Sequence, residues 1–141
     1  MAEADASSQP QETQPSDLPT FELGYSRTPL RRKLVDAVLR GDKIATAGLA
    51  LNHAPHTSDP LPKVGDKWRL LDYDDKAVAI VETTGVRIVP CGEVDLQFAR
   101  DEGEGFESVE EWRIAHERFF GQPIGPDTAI VAVRFRVVER L

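Results

Sequence analysis

The chain of 141 residues contains one cysteine, Cys91, and therefore cannot form a disulfide bond within itself. It also lacks any apolar run of the roughly 20 residues that a membrane-spanning helix needs. Its first nineteen residues contain no lysine or arginine and no apolar run, so they match neither a secretory signal nor an organelle transit peptide. These absences exclude a disulfide scaffold and predict a cytoplasmic protein with no membrane partner.

The N-terminal segment is rich in Ser, Gln and Pro. It also contains four acids, which are Glu3, Asp5, Glu12 and Asp17. A segment of this composition cannot bury enough apolar surface to offset the entropy lost on ordering. We therefore predict a disordered acidic tail over residues 1–19 and one folded domain over residues 20–141, a length that suits a single core.

The net charge of −7 disfavours a nucleic-acid binder, because contacts from Lys and Arg to phosphate supply most of that affinity. Basic residues nevertheless outnumber acidic ones in one segment. They are Arg27, Arg31, Arg32, Lys33, Arg40 and Lys43, against Asp36 and Asp42. This local basic patch is where nucleic acid would make contact.

Two helices are predicted from their capping residues. Thr28-Pro29 opens the first, whose leucines and valines recur at helical spacing up to Gly41. Ser108 with Glu111 forms a capping box that opens the second, which ends at Gly121.

Strands are predicted at five places. They are residues 44–51, a hairpin of 68–71 with 77–84, a short strand over 86–89 set apart by Gly85, and an alternating strand around 131–137. Strands of uneven length, interrupted irregularly by helices, favour an α+β fold or a small barrel over a doubly wound sheet.

Two polar clusters are candidates for a site. Lys43 lies near Thr46, and about sixty residues later Glu102 and Glu104 lie in a glycine-rich segment. Residues three apart on a strand point to opposite faces, so Lys43 and Thr46 converge only if Lys43 lies in the turn before the strand. Lys43 can serve as a base only if it is buried, because the neutral amine must prevail near pH 7.

Four sequence elements resemble the ASCH family, which is named for homology to a transcription coactivator. They are Gly41-x-Lys43-x-x-Thr46, the run 62–66 (PKVGD), the run 82–87 (ETTGVR), and the run 98–105 (FARDEGEG) followed by Trp112 and His116. The resemblance implies a small PUA-like β-barrel flanked by helices, with a cleft and a link to RNA or nucleosides. One compact bacterial branch of the family resembles amidohydrolases that remove the acyl group from N4-acetylcytidine with a lysine, a threonine and a glutamate. This chain resembles more closely a longer bacterial branch, for which the resemblance leaves ribonuclease action open as well.

Carried over motif by motif, the resemblance implies that Lys43, Thr46 and Glu102 are the catalytic residues, with Glu104 as a rival that also binds substrate. In that hypothesis Lys43 takes a proton from Thr46 or a water, and the oxygen attacks the amide carbonyl. Glu102 then passes a proton to the leaving amine. A modified pyrimidine nucleoside or RNA is the expected substrate.

A second hypothesis is an RNA-binding module without catalysis, or a ribonuclease. Tyr25 would stack on a base. The residues that would contact phosphates are Arg27, Arg31, Arg32 and Lys43. Neither hypothesis needs a cofactor. No metal site is predicted, because the acids at positions 101–104 do not have the spacing of an EF-hand loop. Trp112 is expected in the core, and His116 is expected to be a packed imidazole rather than a catalyst.

Overall fold

The computed structural model describes residues 17–141, which form one five-stranded sheet with helices against it. The strands are Thr20–Phe21 (β1), Ala45–Leu49 (β2), Lys67–Leu71 (β3), Ala77–Pro90 (β4) and Ala129–Arg140 (β5). The helices are Pro29–Arg40 (α1), Leu96–Asp101 (α2) and Val109–Phe120 (α3), with short 3₁₀ turns at Ala50–Asn52 and Cys91–Glu93. No helix in this part of the chain is long and apolar enough to cross a membrane.

The predicted disordered tail lies mostly outside the described residues, of which the first is Asp17. The predicted boundary at residue 19 stays a prediction. The backbone carbonyl groups of Leu18 and Pro19 accept hydrogen bonds from Arg69, at 2.9 and 2.8 Å. These two residues therefore contact β3.

The sheet is open, so the expected closed barrel is wrong. The strand order is β1-β3-β4-β5-β2, with β1 parallel to β3 and the other neighbours antiparallel. Across residues 17–141, the two edge strands β1 and β2 do not pair with each other. β1 has only two residues, and the chain leaves the sheet directly after Phe21. The resulting gap between the edge strands opens into the cavity described below.

One long strand replaces the two that Gly85 was expected to separate. β4 continues from Ala77 to Pro90, and its pairing with β5 shifts register at Ile80/Val81 and at Thr83/Gly85. Such irregularities bend and twist a strand without ending it. Gly85 therefore marks a bend, and the hairpin of β3 and β4 is otherwise as predicted.

The predicted N-caps and C-caps of α1 and α3 are confirmed, but the Glu111 carboxylate accepts the Glu107 amide, at 2.8 Å, where a capping box would have the Ser108 amide. The Thr28 hydroxyl accepts the Arg31 amide at 3.2 Å, and the Ser108 hydroxyl accepts the Glu111 amide at 3.1 Å. Both helices end at a glycine with positive φ, 88° at Gly41 and 73° at Gly121. Glycine adopts this left-handed conformation without a steric penalty.

Two apolar clusters flank the bent sheet. The first joins α2 and α3 to β2 and contains Ala45, Leu49, Val89, Cys91, Val94, Phe98, Ala99, Trp112, Ile124 and Ile130. The second joins α1 to β3 and β4 and contains Leu23, Leu34, Val35, Val38, Leu70, Ala79, Val81 and Phe135. Each cluster holds one helix C-terminus against the strands, and these two helix ends carry the candidate site.

Candidate functional site

Lys43 is placed by the end of α1. At Gly41 the chain turns, and the amides of Asp42 and Lys43 both donate to the Ala37 carbonyl, at 2.9 and 3.1 Å. Lys43 therefore lies in the turn directly before β2, which begins at Ala45. This is the position that convergence of Lys43 with Thr46 requires.

Glu102 is placed by the end of α2, where it is the C-terminal capping residue. The next residue, Gly103, has φ of 72° and reverses the chain against the Lys43 turn. A bond from the Ile44 amide to the Asp101 carbonyl, at 2.8 Å, ties the two turns together. Two helix ends, sixty residues apart in sequence, thus meet through their backbones.

The Lys43 ammonium group is buried in this contact, with 2 % of the residue exposed. Its Nζ donates to the Ala45 carbonyl at 2.8 Å, to the Glu102 carbonyl at 3.2 Å and to Glu102 Oε1 at 3.3 Å. Glu104 Oε2 lies 3.7 Å away. Three acceptors match the three N–H donors of an ammonium group, and two carboxylates favour its positive charge. In this arrangement Lys43 is a buried cation.

The Glu102 carboxylate is held on its other side by α3. Its Oε2 accepts a hydrogen bond of 2.6 Å from Trp112 Nε1 and lies 3.3 Å from His116 Nε2. Only about 1 % of the Glu102 side chain is exposed. Trp112 also stacks on His116, with ring centroids 4.2 Å apart. Both carboxylate oxygens of Glu102 are therefore engaged by donors from the protein.

His116 faces an acceptor at each ring nitrogen. Its Nδ1 lies 2.8 Å from the Trp112 carbonyl oxygen, which can only accept, while its Nε2 faces the Glu102 carboxylate. A neutral ring has one N–H, so only the doubly protonated imidazolium donates to both. Burial is the largest influence and acts to lower the pKa of His116, but the contacts with Glu102, Trp112 and Glu104 outweigh it and raise the pKa above 6.5.

The two glutamates differ in acidity. Burial acts to raise the pKa of Glu102, but contacts with His116, Lys43 and Trp112 together lower the pKa below 4.5. Burial also dominates at Glu104, where the positive charge of Lys43 only partly compensates and the nearby Glu102 opposes it. The pKa of Glu104 is therefore raised, and 15 % of its side chain is exposed. The pKa values of the two glutamates are therefore shifted in opposite directions, and Glu104 is the more exposed of the two.

A cavity of about 210 Å³ opens onto this network. Its polar wall consists of Lys43, Thr46, Glu102, Glu104 and His116, and its other wall is mostly apolar. Thr46 is half-buried on β2, opposite Val133 of β5. The structure thus brings together the three residues predicted to be catalytic.

Comparison with known proteins identifies the family of this chain. The family model for the ASCH domain matches residues 23–139, most of the chain. The chain belongs to the ASCH domain family.

Solved structures agree with this assignment. A protein from Enterococcus faecalis V583 is 28% identical with a TM-score of 0.77, over 86% of this chain and 77% of that one. An ASCH domain from Lactobacillus crispatus JV V101 is 27% identical with a TM-score of 0.76, over 86% of this chain and 80% of that one. A hypothetical protein at 16% identity and a TM-score of 0.54, over 74% of this chain and 90% of that one, supports the fold alone. No curated protein matches.

The arginines predicted to bind substrate lie elsewhere in this ASCH domain. Arg31 is fully buried away from the cavity, and its guanidinium donates to Leu23 O, Gly24 O and Asp72 O and to Asp75 Oδ1. It therefore links α1 to the chain after β1 and to the β3–β4 hairpin.

The two other predicted arginines lie toward the same hairpin. Arg32 lies 4.2 Å from the ring centroid of Tyr73, and Arg27 pairs with Asp74 at 3.5 Å. The three arginines of the predicted basic patch thus make separate contacts within the protein.

Tyr25 lies at the cavity rim. The residue is 71 % exposed, and its ring centroid lies 5.7 Å from that of Phe119, which lines the cavity and is itself 42 % exposed. The sequence analysis did not predict that Phe119 lines the cavity.

Two further residues of the site, Trp112 and His116, were predicted to be packing residues. Trp112 is indeed buried in the core, yet its indole N–H also anchors Glu102. The sequence did contain a signal for their shared place in the site: they are four residues apart on one helix, a spacing that places both side chains on one surface.

Metal ligands are not grouped in the described part of the domain. Residues 17–141 contain no cluster of three or more His, Cys, Asp or Glu side chains arranged to hold a metal ion. The basic groups nearest to Glu102 and Glu104 are those of Lys43 and His116.

Proposed function

We propose that this ASCH domain hydrolyses the amide of an N4-acylcytidine-type nucleoside. The observation that carries the proposal is the buried Lys43 ammonium group, 3.3 Å from Glu102 and 3.7 Å from Glu104, in a cavity that Thr46 also lines. A fixed cation, a hydroxyl group and a proton-exchanging acid at one cavity wall are the groups that acyl transfer uses.

In the proposed reaction, Lys43 stabilises the negative charge that develops on the carbonyl oxygen. Three acceptors already hold its N–H groups, so Lys43 acts here through its positive charge, and neither as a base nor as a hydrogen-bond donor. A preformed positive group in a site sheltered from water is effective in this role, since it needs no reorganisation during the reaction.

Glu104 is the proposed proton carrier. The resemblance assigns that role to Glu102, but Glu102 accepts bonds at both oxygens and its pKa is lowered. Glu104 has a raised pKa and access to the cavity. The raised pKa favours this role, because a carboxyl group that holds a proton more strongly can both take a proton and return it. Glu102 then acts as a positioning residue that holds Lys43 and His116.

The steps balance as a hydrolysis. Ionised Glu104 takes the proton from the Thr46 hydroxyl or from a water beside it, and that oxygen bonds to the carbonyl carbon. The carbon–nitrogen bond breaks, and Glu104 returns the proton to the amine nitrogen of cytidine. If Thr46 is the nucleophile, water then cleaves its acyl ester. In either case one water is consumed, and the products are cytidine and a carboxylic acid.

The test is incubation of the purified protein with N4-acetylcytidine, with cytidine measured by chromatography. Thr46→Val keeps the shape of the side chain and removes the hydroxyl, so we expect the rate to fall at least about 100-fold. Thr84→Val, at an exposed position of β4, is the matched control and should keep full activity. An acylated peptide containing Thr46 would identify it as the nucleophile. A wild-type protein that releases no cytidine refutes the proposal.

The alternative is RNA binding without catalysis, or ribonuclease action. Family membership supports a link to RNA, but Arg31 and Lys43 are buried and engaged, which leaves Arg27 and Arg32 of the predicted contacts. This alternative requires RNA affinity that falls steeply with salt and weakens in the Arg27→Ala/Arg32→Ala variant. Salt-insensitive or absent binding excludes it.

A further inference from the structure

A second, apolar compartment adjoins the cavity of Lys43. It measures about 270 Å³ and lies at the gap between the edge strands β1 and β2. Phe21 of β1, Trp68 of β3, and Val131 and Val133 of β5 contribute to its walls. The two spaces share Glu22, Leu23, Thr46 and Ala47 as lining residues. A ligand with its reacting atom at Thr46 therefore has access to both.

Thr46 and Gly48 present the same face of β2 to this compartment. They are two residues apart, and their partners on β5 are Val133 and Val131 respectively. Residues at this spacing, and residues directly opposite on paired strands, share one face of a sheet. The wall beside the Thr46 hydroxyl therefore continues as Gly48, Val131 and Val133.

Gly48 leaves space in this wall that the protein itself does not fill. A Cβ at Gly48 would have one heavy-atom neighbour within 4 Å, His53 Nε2 at 4.0 Å, and the residue has no positive φ that would call for glycine. Glycine within a strand commonly marks a close approach by another group. Here the open space faces the compartment.

The polar groups along this wall are largely paired within the protein. Trp68 Nε1 donates to Thr83 Oγ1 at 3.0 Å, and His53 Nδ1 lies 3.3 Å from the Pro60 carbonyl oxygen. A polar nucleobase placed here would lose hydrogen bonds with water and regain few of them. An apolar group loses none. The other space, with Lys43, Glu104 and His116, offers charged partners for the polar edge of a base.

We infer that the compartment receives the acyl group of the substrate, and that this acyl group is larger than acetyl: a medium-length aliphatic or an aromatic acyl chain. The inference rests on the proposed amide hydrolysis and names its substrate class. The carbonyl carbon lies at Thr46, the acyl chain extends along Gly48 toward Trp68, and the base lies on the side of Glu104.

The test compares N4-acetylcytidine, N4-hexanoylcytidine and N4-benzoylcytidine as substrates. Each buried methylene commonly contributes about tenfold or more to discrimination, so we expect kcat/KM for the hexanoyl substrate to exceed that for the acetyl substrate at least about tenfold. Gly48→Val places a branched side chain in the compartment and should abolish this preference. Gly85→Val, which adds the same side chain to β4 outside the compartment, should retain the preference. Thermal denaturation verifies that both variants fold.

The outcomes separate the two proposals. Equal or better hydrolysis of the acetyl substrate, or a preference that survives Gly48→Val, overturns the acyl compartment and leaves the amidohydrolase intact. If no acylcytidine is cleaved, the proposed function fails, and calorimetric titration of the wild-type protein with N4-hexanoylcytidine decides the compartment alone. If the wild-type protein binds N4-hexanoylcytidine and Gly48→Val weakens this binding at least about tenfold, the compartment is retained as an acyl site. If there is no binding, or if the variant binds equally well, the compartment proposal is overturned.

Discussion

Gly103 lies so close to Lys43 that a Cβ on the glycine would be 2.6 Å from the Lys43 amide nitrogen and from its Cα. Both contacts are with backbone atoms, which cannot move aside as the end of a flexible side chain can. The glycine also has φ of 72°. This single position therefore determines how closely the loop of Glu102 and Glu104 approaches the lysine turn.

We expect Gly103→Ala to lower the free energy of unfolding by about 2–4 kcal/mol, because the strain of positive φ adds to the backbone clash. Gly105→Ala is the matched control. Gly105 has φ of 85°, but a Cβ there meets no atom within 4 Å, so only about 1–2 kcal/mol should be lost. Urea denaturation measures both. Equal losses would show that the contact with Lys43 does not contribute.

Much of the fold follows from local chemistry that the sequence displays. Thr28, Gly41, Ser108 and Gly121 mark helix ends because caps act within one turn of the chain. Barrel closure, in contrast, depends on whether two strands distant in sequence meet. β1 has only two residues, too few for an alternation of residue types to reveal the strand.

The site was predictable in its parts but not in its arrangement. Lys43 and Glu102 stand in recognisable motifs, yet their contact depends on two turns that meet across sixty residues. Arg31 illustrates the limit most clearly. An arginine in a basic segment resembles a phosphate contact, but here the backbone carbonyls of the chain after β1 surround it. Such carbonyl groups carry no sequence signal, because every residue has one.

Glu102→Gln should destabilise the protein by about 3 kcal/mol or more, because it leaves Lys43 and His116 as buried cations without their shared anion. Equilibrium urea denaturation near pH 7 provides the measurement. Glu110→Gln, which removes an exposed ion pair with Arg113, is the control and should change the free energy of unfolding very little. Equal effects in the two variants would contradict a buried ionic network.

Stability should fall as pH rises above about 6.5, because folding raises the pKa of His116. The protonated ring is favoured in the folded state, so its contribution is fully present below the unfolded value of 6.5 and is lost as pH rises through the folded pKa. His116→Gln should reduce this slope, and the part that remains is due to Glu104. Urea denaturation at several pH values measures it, and NMR titration of the ring should give a midpoint above 6.5. A slope that persists unchanged in the variant argues against His116.

Arg31→Ala should be strongly destabilising, by about 3 kcal/mol or more, because several buried carbonyl groups lose their hydrogen-bond donor. Arg32→Ala removes only a contact with the Tyr73 ring and should cost about 0.5–1 kcal/mol. Thermal and urea denaturation of the two variants, which are adjacent on α1, make a direct comparison. Similar small losses would indicate that Arg31 is not the link between α1 and the hairpin.

Glu104→Gln should separate stability from activity. Burial raises the pKa of Glu104, so ionising this carboxyl group is unfavourable in the folded state, and the destabilisation sets in as pH rises above the ordinary value of 4.5. The glutamine variant carries no such charge, so at pH 7 it should be as stable as the wild type or more stable. The same substitution removes the proposed proton carrier, and we expect hydrolysis of N4-acylcytidines to fall about 100-fold or more. Glu102→Gln should lower both the stability and the rate of hydrolysis. Comparing the two glutamine variants therefore distinguishes a carboxylate that anchors the network from one that exchanges a proton. A Glu104→Gln protein that retains full hydrolysis would return the proton-carrier role to Glu102.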